Sequence, residues 1–296
     1  MTSNEIYVVT GASGRTGSAA ARALLEAGKS VRVVVRDKSK GDIWKKRGAE
    51  VAIASLTDTA SMENALSGAR GAYIVSPQHY ASDDLFTQAE IIANTIAEAA
   101  TKAQLSKIVA LSSIGAEKPT GAGWIAMNRI LEQYLCQAGL PTTFLRAAYF
   151  MQNWEPMVRT AMTQGKLPSF LSPPDRKLPM IATDDVGYIA ATILCENGDK
   201  SQVVELEGPA LYSPNDVAEN LTRMLGKTVS VDSIPIADWP EALSGSGMSA
   251  PAVAGFTEMT QALNSGHICF TEEVKIDHRT GTIPLETVLS SLVKSL

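Results

Sequence analysis

Short apolar runs alternate along the first half of the chain with longer stretches in which apolar residues recur every three or four positions. The short runs predict β-strands at residues 7–9, 30–35, 50–54, 71–76, 107–113 and 142–146. The longer stretches predict α-helices at residues 18–27, 59–66, 85–103 and 124–138. Strands that alternate with helices indicate an α/β fold, with a Rossmann-type doubly wound parallel sheet.

The pattern changes beyond residue 150, where proline-rich loops separate the apolar runs. Here we predict helices at 184–196 and 213–225 and a strand at 202–207. We therefore divide the chain into a Rossmann domain, 1–150, and a smaller C-terminal part, 151–296, mainly for substrate, with some elements returning to the first domain. Ligands of open α/β sheets bind beyond the carboxyl ends of the strands, so we expect a cleft between the two parts.

Three glycines follow the first predicted strand at intervals of three residues, at positions 11, 14 and 17. Glycine there allows a tight turn, close approach of the backbone to a diphosphate, and packing of the helix on the strand. The free N–H groups of the helix N-terminus attract the anion. A bare structural turn is the alternative, but the strand–turn–helix context favours a dinucleotide. The residues predicted to hold the diphosphate are Gly11, Ser13, Gly14, Arg15, Thr16 and Gly17.

The residue after the second strand selects the type of dinucleotide. A carboxylate at this position accepts from the ribose 2′-hydroxyl, whereas an arginine accommodates a 2′-phosphate. Arg36 occupies the position, and Lys38 and Lys40 add positive charge nearby. The sequence therefore favours NADP(H) over NAD(H). Two alternatives stay open: the charged run is only a solvated loop, or Asp37 serves a ribose.

Four features together resemble the NmrA-like family, an atypical branch of the short-chain dehydrogenase/reductase superfamily. They are the glycine turn, Arg36, the pair Ser112-Ser113, and the pattern L-R-x-x-x-F-x-x-N that begins at Leu145. The resemblance covers essentially the whole chain. It implies an NADP-binding Rossmann domain and a similarity to NAD(P)H quinone reductases and a triphenylmethane dye reductase. The family also contains regulators that sense NADP without turnover.

The resemblance also places further cofactor contacts at the ends of the strands. Relatives often carry an aspartate at the position of Ser55, so the polar contact near the adenine is weaker or different here. Proline fixing the exit of the fourth strand is the plain alternative to a ribose contact at Ser76. The residues expected near the adenine and the nicotinamide are Ser55, Leu56, Ser76, Ser112, Ala148, Tyr149 and Phe150.

Standard members of the superfamily use a serine after strand five and a Tyr-x-x-x-Lys pair on the next helix, where tyrosine protonates a carbonyl oxygen. The corresponding stretch here runs from Trp124 to Asn128 and contains neither residue. Tyr134 and Tyr149 are not followed by lysine four positions later, so we assign no catalytic residue. Acceptors that are already electron-poor need less protonation, because orientation against the nicotinamide in a dry pocket supplies much of the catalysis.

Aromatic and methionine side chains in the second half could line a pocket for a flat acceptor, and we expect about a third of them to do so, the rest being core. These candidates are Phe150, Trp154, Met157, Phe170, Trp239, Met248, Phe256 and Met259. The residues predicted for the substrate pocket are His79, Trp124, Asn153 and Trp154.

Composition adds bounds. The 296 residues carry a net charge of −5 with no basic stripe for nucleic acid. No apolar run approaches the roughly 20 residues of a membrane span, and the N-terminus does not resemble a signal peptide, so we expect a cytoplasmic protein. Three distant cysteines and three histidines without metal spacing predict reduced thiols and no metal. A homodimer and a regulatory protein partner stay open.

The interpretation that these observations favour is an NADPH-dependent oxidoreductase that transfers hydride to a small electron-poor acceptor of the quinone, azo, dye or iminium type. The alternative is an NmrA-type regulator that binds NADP(H) and controls a partner protein without turnover. The apolar residues of the second half favour the enzyme, because a sensor needs no apolar pocket beside the nicotinamide.

Overall fold

The computed structural model describes residues 5–198, 201–271 and 276–296. Its strands are β1 Ile6–Val9, β2 Ser30–Val35, β3 Glu50–Ile53, β4 Ala69–Ile74, β5 Ile108–Ser113, β6 Thr142–Ala147, β7 Tyr149–Phe150, β8 Lys166–Ser169, β9 Leu178–Ile181, β10 Gln202–Glu207, β11 Leu211–Tyr212, β12 Ser230–Ser233 and β13 Asp277–Thr280. Its α-helices are α1 Arg15–Glu26, α2 Lys38–Lys46, α3 Thr59–Leu66, α4 Leu85–Lys102, α5 Ala126–Gln137, α6 Glu155–Gln164, α7 Thr183–Cys195, α8 Pro214–Leu225, α9 Trp239–Ala242, α10 Ala250–Ser265 and α11 Leu285–Ser295. Short 3₁₀ helices lie at Gly123–Ile125, Met151–Trp154 and Ile236–Asp238.

Eight strands form one parallel sheet in the order β13-β10-β6-β5-β4-β1-β2-β3. The part that runs from β3 through β1 to β6 has the strand order of a Rossmann sheet, with its crevice where the order reverses between β1 and β4. The predicted doubly wound parallel fold is confirmed. Two strands from the second half of the chain, β10 and β13, extend the sheet beyond β6.

Helices cover both faces of this sheet because each carries an apolar side toward it. On one face α1, α2 and α7 bury side chains such as Leu24, Trp44 and Val186, and on the other face α3, α4 and α5 do so. Helices α1 and α7 approach closely: a Cβ on Gly187 would lie 2.4 Å from the Cβ of Ala19. Only glycine permits this contact without a shift of one helix.

The remaining elements form a layer of their own beside the carboxyl ends of the strands. A three-stranded sheet, β11-β9-β7, and a parallel pair, β12-β8, pack with α6, α8 and α11 around a separate apolar cluster that includes Trp154 and Leu289. Asp185 on α7 connects this layer to the main sheet, since its Oδ2 accepts a hydrogen bond of 2.9 Å from the backbone N–H of Ile283.

Several boundaries differ from the sequence prediction by a few residues. Helix α1 starts at Arg15 rather than at residue 18, because the turn at Gly14 passes directly into helix. The predicted helix 124–138 opens as a 3₁₀ turn over Gly123–Ile125, where the chain lies close under α10. Helix α8 has the expected start: Ser213 and Asp216 form a capping box. No helix within the described ranges is long and apolar enough to cross a lipid bilayer.

Candidate active site

The glycine turn connects β1 to α1 and leaves the N-terminus of that helix uncovered. Gly11 has a φ of +65°, a conformation that glycine adopts without strain. A Cβ on Gly17 would lie 2.3 Å from the carbonyl oxygen of Gly11, so this position admits only glycine while the helix packs on the turn. No side chain caps the helix at Gly14. The N–H groups of the first helical turn are therefore directed at whatever lies beyond it.

The other residues of the turn have different surroundings. Ser13 and Gly14 are exposed, whereas Thr16 is buried and its side chain reaches the phenol of Tyr73. Arg15 forms an ion pair with Glu155 at the start of α6, so it connects the turn to the second layer. This pair is about half exposed and contributes little to stability by itself.

The end of β2 lies beside the turn, because β2 pairs with β1, and the end of β3 follows next to β2. Arg36 is exposed, and within the described ranges it forms no hydrogen bond or ion pair. Asp37 precedes α2 without capping it and lies 3.9 Å from Lys40. Ser55 is occupied locally: its Oγ lies 2.8 Å from the hydroxyl of Thr57. Leu56 packs partly against the apolar core.

A cavity of about 870 Å³ opens at the carboxyl ends of β4, β5 and β6 and continues between the sheet and the second layer. Of the residues predicted to contact the cofactor or the substrate, nine line it: Arg15, Ser76, Ser112, Trp124, Ala148, Tyr149, Phe150, Asn153 and Trp154. His79 lies outside this lining, although Gln78 and Tyr80 on either side belong to it. The roles of all these residues in binding stay predictions.

Aromatic rings form a continuous wall on one side of the cavity, here called the aromatic wall: Tyr80, Trp124, Phe256 and Phe170. Tyr80 and Trp124 stack with centroids 3.9 Å apart. Phe256 follows at 5.3 Å from Trp124 and 5.1 Å from Phe170. The Trp124 indole is fixed in place, because its Nε1 donates a hydrogen bond of 2.7 Å to the carbonyl of Ala252. The wall therefore presents pre-positioned rings to a flat ligand.

Of the aromatic and methionine candidates in the second half, more line the cavity than the third expected from the sequence. Those that do are Phe150, Trp154, Met157, Phe170, Met248, Phe256 and Met259. Trp239 instead packs behind the wall, buried against Phe170, and donates its N–H to the carbonyl of Ile234. Within the part of the chain that the structure describes, Arg15 and Glu155 are the charged residues of the lining, and they pair with each other.

Two phenols of the cavity are held in their neutral form. Tyr80 donates to the side-chain oxygen of Gln78, and burial raises its pKa well above the usual value. Burial likewise raises the pKa of Tyr149, against the smaller opposing effect of its hydrogen bond with Asn153. The Nε1 of Trp154 is buried without a hydrogen-bond partner in the described structure. The lining therefore contains hydrogen-bond donors that are not ionised at neutral pH.

The raised pKa of Tyr80 predicts a pH-dependent loss of stability. Unfolding exposes the phenol, whose ordinary pKa is about 10, while the folded chain keeps the proton. The contribution of the Tyr80 phenol to the free energy of unfolding is thus fully present below pH 10 and is lost as the pH rises above 10. As the pH rises from about 9 to 11, we expect the free energy of unfolding to fall less in Tyr80→Phe than in the wild type. Urea unfolding at each pH measures this free energy. Parallel pH curves would contradict this assignment.

A buried network lies under the cavity at the end of β5. The Oγ of Ser112 is 2.6 Å from Oε1 of Glu132 on α5. Arg146 on β6 donates to both oxygens of this carboxylate, at 3.0 Å and 2.8 Å, and to Glu117 at 3.3 Å. Glu132 and Arg146 are each less than a tenth exposed. Ser112 is therefore the point at which a buried ion pair meets the cavity.

Sequence reasoning did not find Glu132, and it named Arg146 only as part of a motif. An arginine inside an apolar strand was the available signal, since a buried guanidinium requires a carboxylate partner. Nothing in the sequence identified which of the chain's acidic residues supplies it. Gln78 and Thr260 also line the cavity and lie in stretches without a recognisable pattern.

Comparisons with known proteins agree with this architecture. The sequence model of the NmrA-like family matches residues 3–282. The chain is 26% identical over 257 residues to the NAD(P)H azoreductase of Xenophilus azovorans, and the match covers 86% of each protein. It is 25% identical over 245 residues to quinone oxidoreductase 2 of Escherichia coli K12, with 82% of each protein covered.

A solved structure with the same fold is that of the Citrobacter sp. triphenylmethane reductase complexed with NADP(H). The two superpose with a TM-score of 0.82 over 97% of this chain and 100% of that one, at 20% sequence identity. At this identity the likeness shows a shared fold.

Proposed function

The chain belongs to the NmrA-like family, and we propose that it is an NADPH-dependent oxidoreductase that transfers hydride to a small electron-poor acceptor of the quinone, azo, dye or iminium type. The observation that carries the proposal is the cavity of about 870 Å³ with an aromatic wall, which begins beside the glycine turn and ends in the second layer. Relatives named as an azoreductase and a quinone oxidoreductase support the reaction class.

The described residues fit a dinucleotide. The turn leaves its helix N-terminus without a side-chain cap, and of the described residues' atoms a Cβ on Gly14 would meet one within 4 Å, the Gly11 oxygen at 3.3 Å. A diphosphate placed against Gly14 would thus contact backbone rather than side chains. Arg36 has no partner in the described structure and lies where a 2′-phosphate would be bound. Ser55 and Leu56 would flank the adenine.

A bound nicotinamide would supply the hydride, and the cavity residues would orient it and exclude water. Ser76, Ser112 and the segment 148–150 surround the end of the cavity nearest the sheet. The positions corresponding to Tyr-x-x-x-Lys are Trp124 and Asn128, both in the lining, and neither is an acid. Catalysis would therefore rest on orientation and on an acceptor that needs little protonation at the moment of transfer.

The lining also limits the acceptor. Stacking against the aromatic wall favours flat, polarisable molecules. Arg15, the one cationic side chain among the described residues of the lining, is paired with Glu155, so none of these residues would offset the desolvation of an anionic acceptor. Aromatic faces attract a cation but not an anion. We therefore propose that neutral acceptors and cationic acceptors that lie against the aromatic wall bind, and that carboxylated or sulfonated analogues bind poorly.

The experiment that tests the proposal combines binding and turnover. NADPH and NADH are titrated against the purified protein. The loss of reduced nicotinamide absorbance is then followed with a panel containing a quinone, an azo dye, a triphenylmethane dye and a cyclic imine. We expect NADPH to bind more tightly than NADH and at least one panel member to be reduced well above the protein-free rate. Tight NADPH binding without turnover across the panel would favour the regulator interpretation instead.

The aromatic wall gives a prediction for one side chain. Trp124→Leu removes the ring that stacks on Tyr80 but keeps an apolar side chain there. We expect the KM for multi-ring acceptors to rise roughly two- to tenfold, because an aromatic pair is worth about 0.5 to 1.5 kcal/mol. The KM for a single-ring quinone and the affinity for NADPH should change little. An equal rise in KM for both acceptors would show that the aromatic wall does not bind the acceptor by stacking.

A further inference from the structure

The hydroxyl of Ser112 has one proton, and the network beneath it decides where that proton points. Glu132 accepts two hydrogen bonds from the guanidinium of Arg146. A carboxylate paired in this bidentate way is in the ionised form and has no proton of its own to donate. In the 2.6 Å contact between Ser112 and Glu132, the serine must therefore be the donor.

The positive charge of Arg146 is stabilised by the carboxylates that surround it. Burial alone would lower the pKa of Arg146, but its hydrogen bonds with Glu132 and the negative charges of Glu132 and Glu117 raise it above the usual value. The guanidinium therefore stays charged and acts only as a hydrogen-bond donor. Arg146 donates to both oxygens of Glu132, so the contact of Ser112 with Oε1 adds a further donor to the same carboxylate.

The consequence appears on the cavity side. Because its proton is committed to Glu132, Ser112 presents only oxygen lone pairs to a ligand. It can accept a hydrogen bond from an N–H or O–H group but cannot donate one. A carbonyl oxygen placed against the Oγ of Ser112 would form no hydrogen bond, because the lone pairs of the two oxygens would repel each other.

We propose that Ser112 is an acceptor-only binding residue that recognises the N–H group of the nicotinamide carboxamide, and that Glu132 and Arg146 are positioning residues that fix this polarity. The inference rests on the proposed function, which places the nicotinamide at this end of the cavity. Ser112 then neither holds the acceptor's oxygen nor supplies the proton for the reduced product.

The test exchanges one atom of the network. In Glu132→Gln the side-chain oxygen can accept from Arg146 while the amide N–H₂ donates to Ser112, so the serine proton is released toward the cavity. Glu117→Gln is the matched control, because it removes the same charge and also contacts Arg146 but does not touch Ser112. Dissociation constants are measured for NADP⁺ and for its 3-acetylpyridine analogue, whose acetyl group keeps the carbonyl but has no N–H.

We expect the wild type and Glu117→Gln to bind NADP⁺ roughly three- to tenfold more tightly than the acetyl analogue, the value of one hydrogen bond. Glu132→Gln and Ser112→Ala should lose this preference. Since Ser112→Ala leaves the ion pair intact, it carries the test even when removal of the buried charge in Glu132→Gln prevents folding. Thermal unfolding identifies the folded variants.

Three results would overturn the inference. Equal affinity of the wild type for both nucleotides would show that the carboxamide N–H is not recognised. The proposed function would be unaffected by this result. A preference retained in folded Glu132→Gln or in Ser112→Ala would show that this hydroxyl does not provide it. Failure of the wild type to bind either nucleotide would contradict the proposed function itself and, with it, the inference about Ser112.

Discussion

Gly14→Val is expected to abolish the binding of both NADPH and NADH while leaving the protein folded. Gly14 has a φ of −98° and a ψ of −178°, a conformation that valine adopts readily. Among the described residues its Cβ would meet one atom within 4 Å, the Gly11 oxygen at 3.3 Å, a tight contact that a shift of a few tenths of an ångström in the turn would relieve. The added methyl groups would instead occupy the space in front of the helix N-terminus, where the diphosphate must approach the backbone. We therefore expect no measurable binding of NADPH to this variant.

Isothermal titration and thermal unfolding on the same preparation separate the two effects. The matched control is Gly245→Val, since this glycine also lacks a positive φ and has no atom within 4 Å of its Cβ. The control should keep its affinity for NADPH. Valine at position 14 should change the free energy of unfolding by only about 1 kcal/mol, the scale of a helix N-cap substitution. Undiminished NADPH affinity in Gly14→Val would place the cofactor elsewhere.

Arg36→Ala is expected to convert a protein that prefers NADPH into one that binds NADPH and NADH with similar affinity. Arg36 is exposed and has no partner within the described structure, so its removal should not disturb the fold. A charge-assisted contact to the 2′-phosphate is worth roughly 1.5 to 3 kcal/mol, which is about a ten- to hundredfold weaker affinity for NADPH. NADH lacks the phosphate and should be nearly unaffected.

The control for this substitution is Lys46→Ala, which removes the same charge from the opposite end of α2, about 12 Å from the first turn. It should change the NADPH affinity only slightly through the general field of the protein. The alternative role for Asp37 is tested in the same titrations, since a ribose contact by its carboxylate would make Asp37→Ala weaken NADH binding. Equal losses for NADPH and NADH in Arg36→Ala would contradict the 2′-phosphate assignment.

The sequence was informative where one local constraint determines the structure. Apolar runs of β-branched residues such as 30–35 predicted strands, and the spacing of Gly11, Gly14 and Gly17 predicted the turn, since both depend on neighbouring residues alone. Boundaries were displaced where distant parts of the chain decide them. The start of α5, for example, depends on α10, whose Gly255 lies directly under the indole of Trp124.

The site was less accessible to sequence reasoning because it is assembled from distant segments. The contact of Ser112 with Glu132 spans 20 residues, and the aromatic wall joins Tyr80 to Phe256 across most of the chain. Hydrophobicity alone did not separate the side chains that line the cavity from Trp239, which packs behind them. A polar residue after a strand, such as His79, is equally consistent with lining a cavity and with lying just outside it.

In the proposed reaction, hydride passes from NADPH bound at the glycine turn to an acceptor in the cavity beside the aromatic wall. The most direct measurement is a single turnover in which NADPH labelled with deuterium at the transferring C4 position is mixed with the protein and a triphenylmethane dye. We expect deuterium on the central carbon of the reduced dye and slower reduction than with unlabelled NADPH. Neither result is expected with Gly14→Val. Reduced dye without deuterium, or equal product with Gly14→Val, would contradict the proposed reaction.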